Sequence, residues 1–202
     1  MKSQLKKVDR RIQRTRQLLN RALMELVVEK GYEAVTVQDI IDRANIGRST
    51  FYAHYQDKED LLLSGIDEVV HSLIWGGEAV SNDEQKEGTT PRILSTEIIF
   101  QHAKEEFQLH KAIFGGRGMD VMHKEIQKHL CSHIEEQINK LLLDGKSPPV
   151  ALSVISNYLA GALLTLLVWW LENDMPYPPE RMDVLFQELS MPGVWAVLGT
   201  NP

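Results

Sequence analysis

The stretch TVQDIIDRANIGRSTFYAHY, residues 36–55, gathers the side chains best suited to act on a charged partner. Arg48, Ser49, Thr50, Tyr52 and His54 fall close together near its end. Arginine can pair bidentately with guanine, Ser and Thr hydroxyls can reach bases or phosphates, and Tyr and His can bond phosphate. Other constellations carry less. His129 and His133 lie four apart on one helix, with Cys131 between them facing away from both, so no three-ligand metal set forms locally. His102, Glu106 and His110 share a stripe that a solvated helix face explains. The chain has no H-E-x-x-H, no glycine-rich phosphate loop and no G-x-S-x-G. We expect no enzyme here: no catalytic residue, no metal and no cofactor.

Positioning the polar cluster requires two short helices and a tight turn. Thr36-x-x-Asp39 reads as a capping box, and Val35 with Ile40 occupies the positions of a hydrophobic staple. Val37, Ile40, Ile41 and Ala44 mark a buried face. Asn45 suits the left-handed exit from that helix. Ile46 and Phe51 supply the contacts that lock the next helix, residues 48–55, against it, and Tyr55 joins Phe51 in the core. This is the grammar of a helix-turn-helix, whose second helix can lie in the DNA major groove. A preceding helix over about residues 9–30 carries Ile12, Leu19, Leu23 and Leu26 and stops at Gly31. Asp57 caps a fourth helix whose first turn is acidic and which runs to Trp75.

The segment GYEAVTVQDIIDRANIGRSTFYAHYQDKEDLL, residues 31–62, resembles the TetR family of bacterial transcriptional regulators. It has the family's Gly-aromatic pair, a Thr opening the second helix, a Thr-Phe-Tyr-x-His-Tyr recognition helix and Lys-Glu-x-Leu-Leu opening the fourth. Two positions depart from the pattern: Asn45 stands where Gly is commonest, and Gly47 where Ser often caps the recognition helix. The stretch WWLENDMPYPPERMDVLFQEL, residues 169–189, also resembles the ending of a C-terminal domain found among TetR-like regulators of low-GC Gram-positive bacteria. The resemblance implies DNA contacts at Thr36, Gln38, Arg48, Ser49, Thr50, Tyr52, His54 and Lys58. It implies an all-α fold: a three-helix DNA-binding unit over residues 1–60, then a helical effector-binding and dimerisation domain over 61–202. Its partners would be a double-stranded operator, a second copy of the chain and a small effector, expected to be apolar because the aromatic and methionine candidates of the body include no charge cluster. A co-regulator controlled by a protein partner is the alternative.

Composition agrees with this division. The 202 residues carry a net charge of −6. Residues 1–50 hold 11 Lys+Arg against 6 Asp+Glu, while residues 61–202 hold 10 against 19. A basic head on an acidic body is what nucleic-acid binding by one domain would produce. The single cysteine excludes an internal disulfide, and the N-terminus has no apolar signal region, so the expected compartment is the cytoplasm.

The body reads as helices throughout, with no strand signal. Residues 76–91 read as a loop, Pro91 as the start of a helix reaching about Phe114, and residues 115–118 as a glycine-rich break. A helix over about 120–143 follows and ends at Asp144-Gly145. Pro148-Pro149 opens a long helix to about Glu172, and the last helix has Met182, Leu185, Phe186 and Leu189 on one face. From Ser147 to Leu171 there are 25 positions without a charge, long enough to span a bilayer. Ser153, Ser156, Asn157, Thr165 and the double proline argue against a membrane. A helix apolar nearly all round must then be buried on both sides, by its own domain and by a second subunit. We expect a homodimer through helices 149–172 and 178–190. Trp75, Phe100, Phe107, Met119, Met122, Trp169 and Trp170 are candidates to line an effector pocket.

Overall fold

The computed structural model describes residues 2–76, 93–113, 116–142 and 150–199, with side chains from Arg10 onward except at positions 75, 76 and 117. The described residues form nine α-helices and no strand. They are α1 (Lys2–Lys30), α2 (Val37–Ala44), α3 (Arg48–Tyr52), α4 (Lys58–Gly76), α5 (Glu97–Glu105), α6 (Phe107–Ile113), α7 (Arg117–Leu141), α8 (Leu152–Glu172) and α9 (Pro179–Leu198). A 3₁₀ turn, Tyr32–Ala34, links α1 to α2. The chain divides into two compact units, Met1–Asp67 with Gln108–Met122, and Glu68–Phe107 with His123–Pro202.

The first unit is built on the apolar stripe of α1. Leu19, Leu23, Leu26 and Val27 are buried, as are Ile40 and Ile41 of α2, Phe51 of α3, and Leu61 and Leu62 of α4. Ile12 repeats with this stripe in sequence but is 37% exposed. Gly31 ends α1 at φ 77, in the positive region that glycine enters without a Cβ penalty. Gln108–Met122 clusters with this unit rather than with the rest of the body, a finer division than a cut at residue 60. One reason is Gly118. A Cβ there would stand 2.8 Å from Tyr32 Cδ1, so the missing side chain lets the α7 backbone lie against the Tyr32 ring. Residues 115–118 therefore do not form the expected break throughout: Arg117 and Gly118 already belong to α7. That glycine serves packing, not chain termination.

The second unit packs Phe100 of α5, Leu130, Ile134 and Ile138 of α7, Leu159, Leu163 and Trp170 of α8, and Met182 and Phe186 of α9. A buried carboxylate, Asp183, accepts hydrogen bonds from the Thr96 backbone N–H (3.1 Å) and hydroxyl (2.7 Å). Gln187 donates to the Leu94 carbonyl at 2.9 Å, so this polar cluster fastens the segment before α5 onto α9. Ser156 of α8 donates to Glu135 of α7 at 2.8 Å.

Several boundaries differ from the sequence reading. The helix expected from Pro91 to Phe114 is two helices, interrupted at Glu106, and begins after Thr96; Pro91 and Phe114 lie outside the described residues. So do residues 77–91 of the expected loop, the stop at 144–145 and the proline pair at 148–149, whereas Gly76 closes α4. The last helix does not stop near residue 190 but continues through Pro192 to Leu198. Proline removes one backbone hydrogen bond, but Met191, Val194, Trp195 and Leu198 are buried on either side of it and hold the helix in place. Of the residues expected on one face of this helix, Met182 and Phe186 are buried whereas Leu189 is 72% exposed. Helix α8 is apolar and long enough to cross a membrane by composition alone, yet it contributes nine buried residues to the second unit.

Candidate nucleic-acid interface

Thr36 caps α2 with a reciprocal box. Its hydroxyl accepts from Asp39 N–H at 3.2 Å, while Asp39 Oδ2 accepts from Thr36 N–H at 2.8 Å and from the Thr36 hydroxyl. Lys30 lies 2.8 Å from the same carboxylate. Lys30 first, and Thr36 second, hold the Asp39 carboxyl well below the usual carboxylate range. Val35 and Ile40 are both buried beneath this cap. At the other end Asn45 takes the left-handed conformation, φ 53, and its N–H returns to the Asp42 and Ile41 carbonyls. Arg43 grips Glu29 of α1 bidentately, at 2.8 and 2.7 Å. Helix α2 is thus fixed to α1 by ion pairs outside and by isoleucines inside.

Helix α3 is a single short turn and a half, tied down by one large residue. Phe51 is fully buried and meets Tyr52 edge-on at 5.3 Å between ring centres and Tyr55 at 6.0 Å. The helix ends at Tyr52 rather than Tyr55. Gly47 is its N-cap and offers no side-chain bond. With Phe51 turned inward, Arg48, Ser49, Thr50 and Tyr52 are exposed and His54 is half-buried. The Arg48 guanidinium has no hydrogen-bond or ion-pair partner among the described residues. The cluster thus stands on the outside of α3 and its exit, with Ser49, Thr50 and His54 lining one cleft.

The remaining predicted contacts are placed differently. The Thr36 hydroxyl proton goes to Asp39, and one Gln38 amide N–H goes to Asp42 at 2.8 Å. Lys58 is not a free surface cation. Its ammonium donates to the carbonyls of Tyr32 (2.9 Å), Val35 (2.8 Å) and, more weakly, Glu33 (3.4 Å), and lies 4.4 Å from the centre of the Tyr32 ring. It braces the turn that delivers the chain from α1 into α2. Sequence spacing could not reveal this, because a lysine at a helix start looks the same whether it faces solvent or carbonyls. Tyr32 and Gly118, to which the sequence reading gave no bracing role, complete the brace; the signals were the Gly-aromatic pair Gly31-Tyr32 and a glycine inside what proves to be a helix.

The pocket candidates differ in burial. Phe100 and Trp170 are fully buried and pack edge-to-face at 5.3 Å, and Trp170 Nε1 donates to the Tyr177 carbonyl at 2.8 Å. Trp169 is 44% exposed and Phe107 half-buried. Met119 and Met122 belong to the first unit, and the Trp75 side chain lies outside the described residues.

Comparison with known proteins sets this geometry in a family. The sequence model of bacterial regulatory proteins of the tetR family matches residues 19–64, and that of a transcriptional regulator C-terminal region matches 94–191. The chain belongs to the TetR family of transcriptional regulators. The second match takes in residues 169–189, where the sequence already resembled a TetR-type C-terminal domain. An HTH-type transcriptional regulator of Bacillus subtilis, YxbF, is 47% identical over 58 residues, which are 28% of this chain and 15% of that protein. The HTH-type regulator TcmR of Streptomyces glaucescens is 35% identical over 65 residues, 32% of this chain and 29% of that protein. The chain thus matches less than a third of the length of either relative. Among solved structures, a TetR-family regulator from Syntrophomonas wolfei superposes with a TM-score of 0.69 over 93% of this chain and 98% of its own, at 19% identity. At that identity the likeness is one of fold.

Proposed function

We propose that this TetR-family protein is a ligand-responsive repressor that binds a pseudo-palindromic operator as a homodimer. Residues 1–60 would read DNA and residues 61–202 would bind effector and partner. The observation that carries the reading is α3: one buried phenylalanine anchors it, and an uncommitted arginine with two hydroxyls and a tyrosine stands outward. Arg48 would read a base, with Ser49, Thr50, Tyr52 and His54 on bases or phosphates. Gln38 would meet phosphate through its second amide N–H, and Thr36 through its hydroxyl once that is released from Asp39. Such a protein works beside the chromosome, in the cytoplasm. The test is binding of the purified protein to the DNA upstream of its own gene and to random duplex. Arg48→Ala should cost about 1–3 kcal/mol on the operator and relax preference at one base pair per half-site. Equal losses on both DNAs would remove its base-reading role.

The dimer reading rests on the second unit. Val154, Tyr158, Thr165 and Trp169 form an exposed stripe on α8, beside Gly161, and Leu189 and Val197 are exposed on α9. A two-fold axis across these helices would present two recognition helices about 34–36 Å apart, or a multiple of it. A wholly monomeric protein by sedimentation at micromolar concentration would exclude it. For the effector we propose a small, mainly apolar molecule whose binding in the body shifts α4. Linkage makes coupling reciprocal: a ligand that weakens operator binding by some factor must bind the operator complex more weakly by the same factor. All four tryptophans lie outside residues 1–60, so their emission can follow a titration with and without operator. If every ligand bound equally in both titrations, control by a protein partner would become the better reading.

A further inference from the structure

Residues 10–58 carry nine lysines and arginines, and the structure ties up four of them. Arg21 pairs with Glu25, Lys30 with Asp39, Arg43 with Glu29 and Glu25, and Lys58 with three carbonyls. Arg10, Arg11, Arg14, Arg16 and Arg48 have no ion-pair partner among the described residues. Phosphate binding needs cations that are not already neutralised, and four of these five stand near the start of α1, far in sequence from the helix-turn-helix.

One of them shares a surface with the recognition helix. A cleft of about 330 Å³ is lined by Arg11, Ile12 and Thr15 of α1 and by Ser49, Thr50, Ala53 and His54. None of its lining residues is acidic, and three of them are polar side chains of the DNA-reading cluster. Its floor includes Ile12, the one member of the α1 apolar series left 37% exposed. The Thr15 hydroxyl donates back to the Arg11 carbonyl at 3.0 Å, so it is a neighbour in the cleft and Arg11 is the charged donor.

We propose that Arg11 binds a backbone phosphate of duplex DNA, making the cleft between α1 and α3 a seat for the strand that flanks the groove α3 enters. This rests on the DNA-reading role of α3 proposed above. A strand bordering that groove passes the outward side chains of α3, and Arg11 faces the same cleft as Ser49, Thr50 and His54. Because the contact is to backbone, it adds affinity without sequence preference.

The test compares Arg11→Gln with Arg10→Gln in the full-length protein, on its upstream DNA and on random duplex, from about 50 to 200 mM salt. Arg10 does not line the cleft, and its removal deletes the same charge one residue away. Arg11→Gln should flatten the slope of log K against log salt by about 0.9 per bound protomer, equally on both DNAs, and Arg10→Gln should leave it unchanged. Indistinguishable variants, or a loss for Arg11→Gln on the upstream DNA alone, would overturn the proposal. If Arg48→Ala still weakened operator binding in those cases, the DNA reading of α3 would survive the failure. If neither Arg48→Ala nor Arg11→Gln changed binding, the DNA reading itself would fall.

Discussion

Lys58 separates two accounts of the same residue. As a phosphate contact, its loss would flatten the salt dependence of DNA binding and leave folding untouched. As the brace seen here, its loss would leave two short hydrogen bonds unmade, at 2.8 and 2.9 Å, and remove a cation from 4.4 Å above a buried tyrosine ring. Hydrogen bonds from a charged donor contribute about 1.5–3 kcal/mol each, and a cation–π contact about 0.5–2. All of them end on one ammonium, which regains water when freed, so they do not add in full. We expect Lys58→Ala to cost about 2–4 kcal/mol, a drop in Tm of roughly 5–15 °C for a chain of this size. Lys58→Arg sharpens the comparison. It keeps the charge, but a planar guanidinium cannot aim three donors at carbonyls converging on one point. The brace requires Lys58→Arg to lose stability as well; a phosphate contact requires it to bind DNA normally and melt normally. Thermal melting by circular dichroism and salt titration of operator binding measure the two. An unchanged Tm for Lys58→Ala, with a slope flattened by about 0.9, would refute the brace.

Gly118→Ala should destabilise by about 1–3 kcal/mol, because the new methyl meets the Tyr32 ring at 2.8 Å; a neutral result in thermal melting would show that Tyr32 can move aside. Gly47→Ser should stabilise by roughly 0.5 kcal/mol, since nothing lies within 4 Å of a Cβ there and the hydroxyl can cap α3. Asp39 has a folded-state pKa below its unfolded value, so its contribution is complete above about pH 4 and disappears as pH falls through the folded value. The Tm difference between the wild type and Asp39→Asn should therefore be constant from pH 8 to about 5 and shrink in stronger acid; a difference that grew on acidification would contradict the capping geometry. Leu189→Glu places a charge on the exposed face of α9 and should shift sedimentation toward monomer without lowering secondary structure.

The helix-turn-helix was readable because each of its parts is a local code. A capping threonine, its aspartate three residues later, a left-handed asparagine and one buried phenylalanine each act within a turn or two of themselves, and all four sit where their chemistry requires. Long-range choices were not readable. Whether Gly118 breaks a helix or admits Tyr32 depends on a residue 86 positions away. Whether α9 stops before Pro192 depends on what buries Val194 and Trp195. The aromatic residues of the body illustrate the same limit: Phe100 and Trp170 are as compatible with a pocket in sequence as Trp169, yet the first two are packed against each other and the third is turned outward.

The internal ties of the head also shape how its DNA binding must be measured. Arg43 with Glu29 and Lys30 with Asp39 are exposed ion pairs, and screening weakens such pairs as salt rises. Salt also weakens DNA binding through counterion release. A salt titration of this protein therefore mixes two responses, loosening of the α1–α2 junction and loss of phosphate contacts. Only the second scales with the number of phosphates neutralised. The buried contacts of Phe51, Ile40 and Leu23 do not depend on ionic strength in this way, and they hold α3 in place when the outer pairs are screened. Melting temperatures recorded across the same salt series isolate the first response. If they stay level while affinity falls, the slope counts phosphates alone, and the comparison of Arg11 with Arg10 can be taken at face value.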